Sequence, residues 1–182
     1  MNIHTTQAPP AAIASGLIGY PFDALATDLD VVFVGTAAAD GAERIGPYYA
    51  EAGNLFWPTL HQTELAPRRI RPQDLGRLRD LGIGFADIAA ASSIHGSDVE
   101  ALRSNLRRHQ PRAVALTGKG AARIWLRRRS QSIRYGLQPR HAGDFCSVFV
   151  LPSPASAARR YWNIAPWREL SDWIRMTGRW RY

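Results

Sequence analysis

The run Asp30-Val31-Val32-Phe33-Val34-Gly35-Thr36 decides the fold class. Four consecutive apolar residues closed by a glycine read as a short strand buried on both faces. Two later runs have the same character: Arg112 to Thr117, and Phe145 to Leu151 before the stop Pro152-Ser153-Pro154. Helical segments separate them. Asn54 opens the apolar stretch Leu55-Phe56-Trp57, the start of a helix, and Pro72 to Leu81 predicts a short helix with proline at its start. Ser97-Asp98 reads as the cap of a helix that reaches His109, with Val99, Leu102 and Leu106 on one face. Gly118-Lys119-Gly120 turns into a helix through Arg129, and an amphipathic helix runs from about Pro166 to Met176. Gly82-Ile83-Gly84-Phe85 reads as a tight, backbone-dominated segment. Strands separated by helices predict an α/β fold, a three-layer α/β/α sandwich around a central, mostly parallel sheet. The 182 residues suit one domain. Residues 1–20, rich in Ala, Pro, Gly and Thr, read as an extended N-terminal arm before a single domain over 21–182.

Composition narrows the function. With 46% hydrophobic and 21% charged residues the chain is neither disordered nor collagen-like. No stretch approaches the ~20 apolar residues of a membrane span, and Met1 to Gly19 lacks the basic start of a secretory signal. We therefore expect a cytoplasmic monomer without membrane contact. Cys146 is the only cysteine, which excludes an internal disulfide and a Cys-rich metal site. The five histidines, His4, His61, His95, His109 and His141, show no metal-ligand spacing. Gly118-Lys119-Gly120 lacks the flanking residues of a phosphate-binding P-loop, and Lys119 is the only lysine. Neither a metal nor a cofactor is expected.

The net charge of +8 is unevenly spread. Residues 1–100 hold 6 Arg against 12 acids, net −6, whereas residues 101–182 hold 16 Arg and Lys119 against 3 acids, net +14. Coding bias accounts for Arg over Lys but not for the loss of acids from the second half. A strongly basic half suits a polyanion, most often nucleic acid.

In parallel sheets, ligands bind outside the carboxyl ends of the strands. Three segments there have unusual sequences: Gly35-Thr36-Ala37-Ala38-Ala39-Asp40, Gly82-Ile83-Gly84-Phe85-Ala86-Asp87, and Leu151-Pro152-Ser153-Pro154-Ala155-Ser156. The first brings small residues whose backbone N–H groups can approach a ligand. The third carries two hydroxyls and leads to Arg159, Arg160, Tyr161 and Trp162. Hydroxyls, amides and Arg grip phosphates, and aromatics stack on or wedge between bases.

Together the three segments resemble the uracil-DNA glycosylase superfamily over roughly Leu29 to Ile174, most of all its mismatch-specific uracil and thymine glycosylase branch. That branch has a strand ending in Gly-Ile-Asn-Pro-Gly, then Asn-x-Phe-Trp nineteen residues after the first Gly; Gly35 and Asn54-Leu55-Phe56-Trp57 keep the spacing. Gly82-Ile83-Gly84-Phe85 is similar to the Gly-Ile-Gly-Phe-Thr-Asn pattern of thymine glycosylases, and Leu151 to Ser156 to the third family motif, His-Pro-Ser-Pro-Leu-Ser in classical members. Tyr48-Tyr49-Ala50 before Asn54-x-Phe-Trp also resembles the hypoxanthine glycosylase branch.

The resemblance implies base flipping and hydrolysis of an N-glycosidic bond in DNA. It implies that Tyr49, Asn54 and Asp87 surround the base, with Tyr49 stacking on it and Asp87 accepting its imino N–H. It implies that Thr36 and Ala37 offer backbone N–H groups to the base carbonyl. Ser153, Ser156, Arg159, Arg160 and Tyr161 would contact the DNA. The structural alternatives are a core aromatic for Tyr49, a helix cap for Asp87 and turn capping for the two serines. Three positions depart from the family: Ala37 stands where a water-activating Asn or Asp is found, Leu151 at the His or Asn of the third motif, and Ala155 at the wedge leucine. Asp40 is the nearest acid in the first loop and a candidate to position water. The expectation is a monofunctional enzyme that excises uracil first and leaves an abasic site. The alternatives are a hypoxanthine or xanthine glycosylase, and a catalytically inactive module that binds lesions or abasic sites.

Overall fold

Strands that are apolar on both faces need a cover on each side, and the chain supplies two. The computed structural model describes residues 25–36, 48–74, 76–88, 96–140 and 142–177. Four parallel strands, β1 (Val31–Thr36), β2 (Ile83–Ile88), β3 (Ala113–Thr117) and β5 (Ser147–Leu151), form the sheet in the order β2-β1-β3-β5-β4. The two-residue β4 (Gly136–Leu137) lies antiparallel along β5. Side chains alternate across it. Val31, Phe33, Phe85, Ala113, Ala115, Phe149 and Leu151 face one layer, made by α1 (Phe56–Gln62), α2 (Gly76–Asp80) and α5 (Ala165–Thr177) through Phe56, Leu60, Leu78, Trp167 and Leu170. Val32, Val34, Val114, Leu116, Val148 and Val150 face the other, made by α3 (Gly96–His109) and α4 (Lys119–Leu126) through Val99, Leu102, Leu106 and Trp125. Each fully buried Val, Leu or Phe contributes about 1.5–3 kcal/mol relative to exposure, so the two layers hold the sheet flat-side in. The α/β/α architecture is the one expected.

Several local expectations change. Gly82 is the turn into a six-residue strand, β2, whose Ile83, Gly84 and Phe85 pair with Val31, Val32 and Phe33. Gly84 interrupts the apolar run and so hides the strand in the sequence, yet it pairs with Val32 in the register. Asp87 therefore belongs to a strand and is not a helix cap. The helix after Gly118 ends at Leu126, because Arg127 turns left-handed at φ 52°; Arg128 and Arg129 follow it outside the helix. Pro72 to Leu81 divides into a single 3₁₀ turn, Pro72–Asp74, and α2. Helix α3 starts at Gly96, which moves Ser97 and Asp98 from the cap into the first turn. The expected arm over 1–20 lies outside the described residues, as do Ala37 and Asp40.

At the amino ends of the strands, buried Asp30 accepts a hydrogen bond from Arg112 at 3.0 Å, and the Arg112 guanidinium lies 5.4 Å from the Trp173 ring. Cys146 is buried, and burial is the main reason its thiol is pushed up to about 12. It stays protonated at neutral pH and offers no thiolate nucleophile.

Candidate active site

The chain leaves β1 to form β2 on one side and returns to place β3 on the other, so the strand order reverses between β1 and β3. Ligand crevices of parallel sheets open at such a reversal, beyond the carboxyl ends. Here the register supplies the opening. β1 pairs with β2 as far as Thr36 and Ile88, but with β3 only as far as Val34 and Leu116. Gly35 and the exposed Thr36 thus extend past the last β1–β3 rung.

Three oxygens converge on Gly35 from three elements. A Cβ at that position would lie 2.9 Å from Asp87 Oδ1, 3.3 Å from the Tyr49 hydroxyl and 3.5 Å from Thr117 Oγ1. Only glycine leaves that space. The Asp87 oxygen is shielded from solvent, although the residue as a whole is half-buried.

Tyr49 is set by its neighbours. Its backbone is left-handed, φ 56°, which is uncommon for a side chain of this size and marks a position held by its surroundings. The ring stacks on Phe56 at 4.2 Å between centroids and 14° between planes. Phe56 in turn meets Phe33 and Trp167 edge-on, and Tyr48 stacks on Phe85. Trp57 Nε1 donates to the Tyr48 carbonyl at 3.0 Å, tying the strained pair to α1. Tyr49 thus packs on the rim of the core, as its structural reading expected, with its hydroxyl beside Gly35.

The Tyr49 hydroxyl is 2.9 Å from Thr117 Oγ1, and Thr117 donates to the Val34 carbonyl at 3.2 Å. A threonine hydroxyl has one proton. With that proton on Val34, the Tyr49 O–H donates to Thr117. Thr117 is the residue that sequence reasoning missed. Its signal was available: a hydroxyl closing an apolar strand at its carboxyl end, one residue before a glycine turn.

The third segment is pinned from three directions. Gly118 N–H donates to Leu151 O at 2.8 Å, Leu55 N–H to Pro154 O at 2.9 Å, and Trp167 Nε1 to Pro152 O at 3.2 Å. Gly118 adopts φ 113°, and a Cβ there would press on Ser153 Cβ at 3.2 Å, so this crossing also requires glycine. The loop presents half-buried Ser153 and exposed Ser156, then a 3₁₀ turn, Ser156–Tyr161, that carries exposed Arg159, Arg160 and Tyr161. Leu151 is fully buried in the core beside Phe56 and Trp167 and does not line the notch.

Asn54 serves the loop. Its Oδ1 accepts from Phe56 N–H at 2.9 Å and its Nδ2 donates to Glu51 at 2.8 Å, which sets the start of α1 and hence the Phe56 ring under Tyr49. Among the described residues, no three His, Cys, Asp or Glu side chains gather as a metal site would require, and no helix is long and apolar enough to cross a membrane.

Fold and site together define an α/β/α domain with a glycine notch at the strand ends, lined by Asp87, Tyr49 and Thr117, beside a loop that carries Ser153 and Ser156 and leads to exposed Arg159 and Arg160. A family model of the uracil DNA glycosylase superfamily matches residues 22–175, and the chain belongs to that superfamily. Membership carries DNA as the partner and DNA glycosylase chemistry, the hydrolytic opening step of base excision repair.

Proposed function

We propose that the chain flips uracil, and with it other deaminated bases, into the β1–β3 notch and hydrolyses the bond to deoxyribose without strand cleavage. The observation that carries this reading is the placement of the Asp87 carboxylate beside the Tyr49 wall at Gly35. A base stacked on the Tyr49 face turned away from Phe56 brings its polar edge to Asp87, and a carboxylate accepts an imino N–H. Uracil, hypoxanthine and xanthine all carry an imino N–H beside a carbonyl.

Excision then follows from charge. As the C1′–N bond breaks, its electron pair passes to the base. Backbone N–H groups of Thr36 and Ala37 stabilise the charge that collects on the base carbonyl. The sugar is left as an oxocarbenium-like centre that captures water, and the proton of that water is lost as the abasic hydroxyl forms. Asp40 is our candidate to hold the water. Lys119, the only lysine, lies 5.1 Å over the Tyr135 ring, which supports hydrolysis without a lysine adduct and hence an intact strand.

Ser153 and Ser156 grip the backbone around the lesion in this reading, and Arg159 and Arg160 meet neighbouring phosphates. Each phosphate neutralised on duplex DNA adds about −0.9 to the slope of log affinity against log salt. The double substitution of Arg159 and Arg160 by Ala is expected to flatten that slope by about 2. An unchanged slope places these arginines off the DNA.

The Tyr49–Thr117 contact gives a further test. Tyr49→Ala removes a stacking surface worth roughly 1–3 kcal/mol per base, so excision is expected to fall about 5- to 100-fold. Thr117→Val keeps the shape but leaves the Tyr49 O–H without this acceptor, an expected loss of about 1 kcal/mol or roughly 5-fold in single-turnover excision. Full activity in both variants returns Tyr49 to a purely structural role.

The same site would serve a hypoxanthine or xanthine glycosylase, since Asp87 reads a feature common to all three bases. The burial of Leu151 in the core favours a different rival, an inactive module that binds lesions or abasic sites, because the His or Asn position of the third motif then offers no polar side chain to the reaction. Excision from oligonucleotides containing uracil, hypoxanthine or xanthine, single- and double-stranded, decides among them. Uracil released fastest supports our reading, a purine released fastest supports the first rival, and binding without release supports the second.

A further inference from the structure

We propose that Tyr135 and Tyr161, each faced by a cation, form a stacking platform outside the notch for an unpaired base of the DNA strand, so that the protein favours a single-stranded flank. This rests on DNA being the partner and not on which base is excised.

Tyr161 is 60% exposed, an unusual state for a large aromatic ring in a chain with this much core. The turn that bears it is anchored: the next residue, Trp162, packs at 5.8 Å on buried Trp167. Anchoring one aromatic inward while holding its neighbour outward costs apolar burial, so folding does not account for Tyr161. Its ring is not bare, however. The Arg160 guanidinium lies 4.6 Å from its centroid.

Half-buried Tyr135, reached through the segment before β4, repeats the arrangement with the Lys119 ammonium at 5.1 Å. The Tyr135 phenol is pushed up, first by burial and then by Tyr161. The patch abuts the DNA-gripping loop. Lys119 follows Gly118, and Gly118 packs directly on Ser153.

Aromatic rings paired with cations suit a base whose π-face is open and whose phosphate is negative. In a duplex both faces of a base are covered by stacked neighbours. A single strand or gap exposes them, and stacking on aromatic side chains is the general means of holding such bases. The platform is therefore matched to unpaired nucleotides next to the excised one.

The test uses an undamaged, dye-labelled thymidine oligonucleotide, single-stranded or annealed to its complement, titrated with the whole chain at one salt concentration and read by fluorescence anisotropy. Tyr161→Ala is expected to weaken single-strand binding about 5- to 100-fold, the range for one stacked base, and to change duplex binding less than about 2-fold. Tyr161→Phe, which keeps the ring, is expected to bind as wild type. Unchanged single-strand binding by Tyr161→Ala overturns the proposal. So does an equal or larger loss on duplex, which would make Tyr161 a duplex contact. Since the strand holds no damaged base, either result leaves the reading of the notch untouched.

Discussion

Gly35→Ala is expected to lower excision about 100-fold, the cost of displacing reacting groups by roughly 1 Å. The added methyl would stand 2.9 Å from Asp87 Oδ1, closer than real Cβ contacts allow, and 3.3 Å from the Tyr49 hydroxyl. Asp87 has a short side chain in a strand paired to β1 along its whole length, so relieving the contact turns its carboxylate away from the position it now holds. Tyr49 is held by Phe56 and Thr117 and has no slack either. Overpacking of this kind also costs about 1–3 kcal/mol of stability, so melting must be followed beside single-turnover excision. Gly120→Ala is the control. Gly120 lies in α4 with nothing within 4 Å of the added methyl, and the change should leave activity intact and stabilise by up to about 1 kcal/mol. Full excision by Gly35→Ala would mean that Asp87 and Tyr49 do not set the position of the base.

Substitution of Asp87 is expected to separate rate from preference. In Asp87→Ala the imino N–H of a bound base loses its charged acceptor. Hydrogen bonds to charged groups contribute about 1.5–3 kcal/mol, so excision of uracil, hypoxanthine and xanthine should each fall roughly 10- to 100-fold. Asp87→Asn keeps an acceptor and adds a donor. That donor can meet a carbonyl of uracil beside its imino group, and preference should shift toward uracil. The measurement is the excision rate of each base by wild type and both variants. Equal losses without a change of preference in either variant would move specificity to the backbone of the loop after β1.

The layers were legible because double-sided burial leaves a strong trace. Val31 to Val34 and Ala113 to Leu116 are apolar at every position, and that continuity requires helices on both faces. β2 escaped because Gly84 breaks the run and Asp87 brings a charge near its end. The ends of α4 and α3 were displaced by a left-handed Arg127 and an early Gly96, which propensity does not foretell. Within the site, Asp87 and Tyr49 were found through motif spacing, but their meeting at Gly35 depends on register, and Thr117 on a contact spanning 68 residues. Asn54 was singled out because it shares the motif with Phe56, and its amide also holds the turn that presents Phe56, a role that motif spacing alone does not reveal.

The central claim, that a base held at the β1–β3 notch is cut from DNA, is tested most directly by the products from a uracil-containing oligonucleotide. Mass spectrometry is expected to find free uracil and an unbroken strand with one abasic site in equal amounts, with release sharply reduced in the Gly35→Ala variant. A wild-type chain that binds the oligonucleotide but releases no base from uracil, hypoxanthine or xanthine would contradict the account.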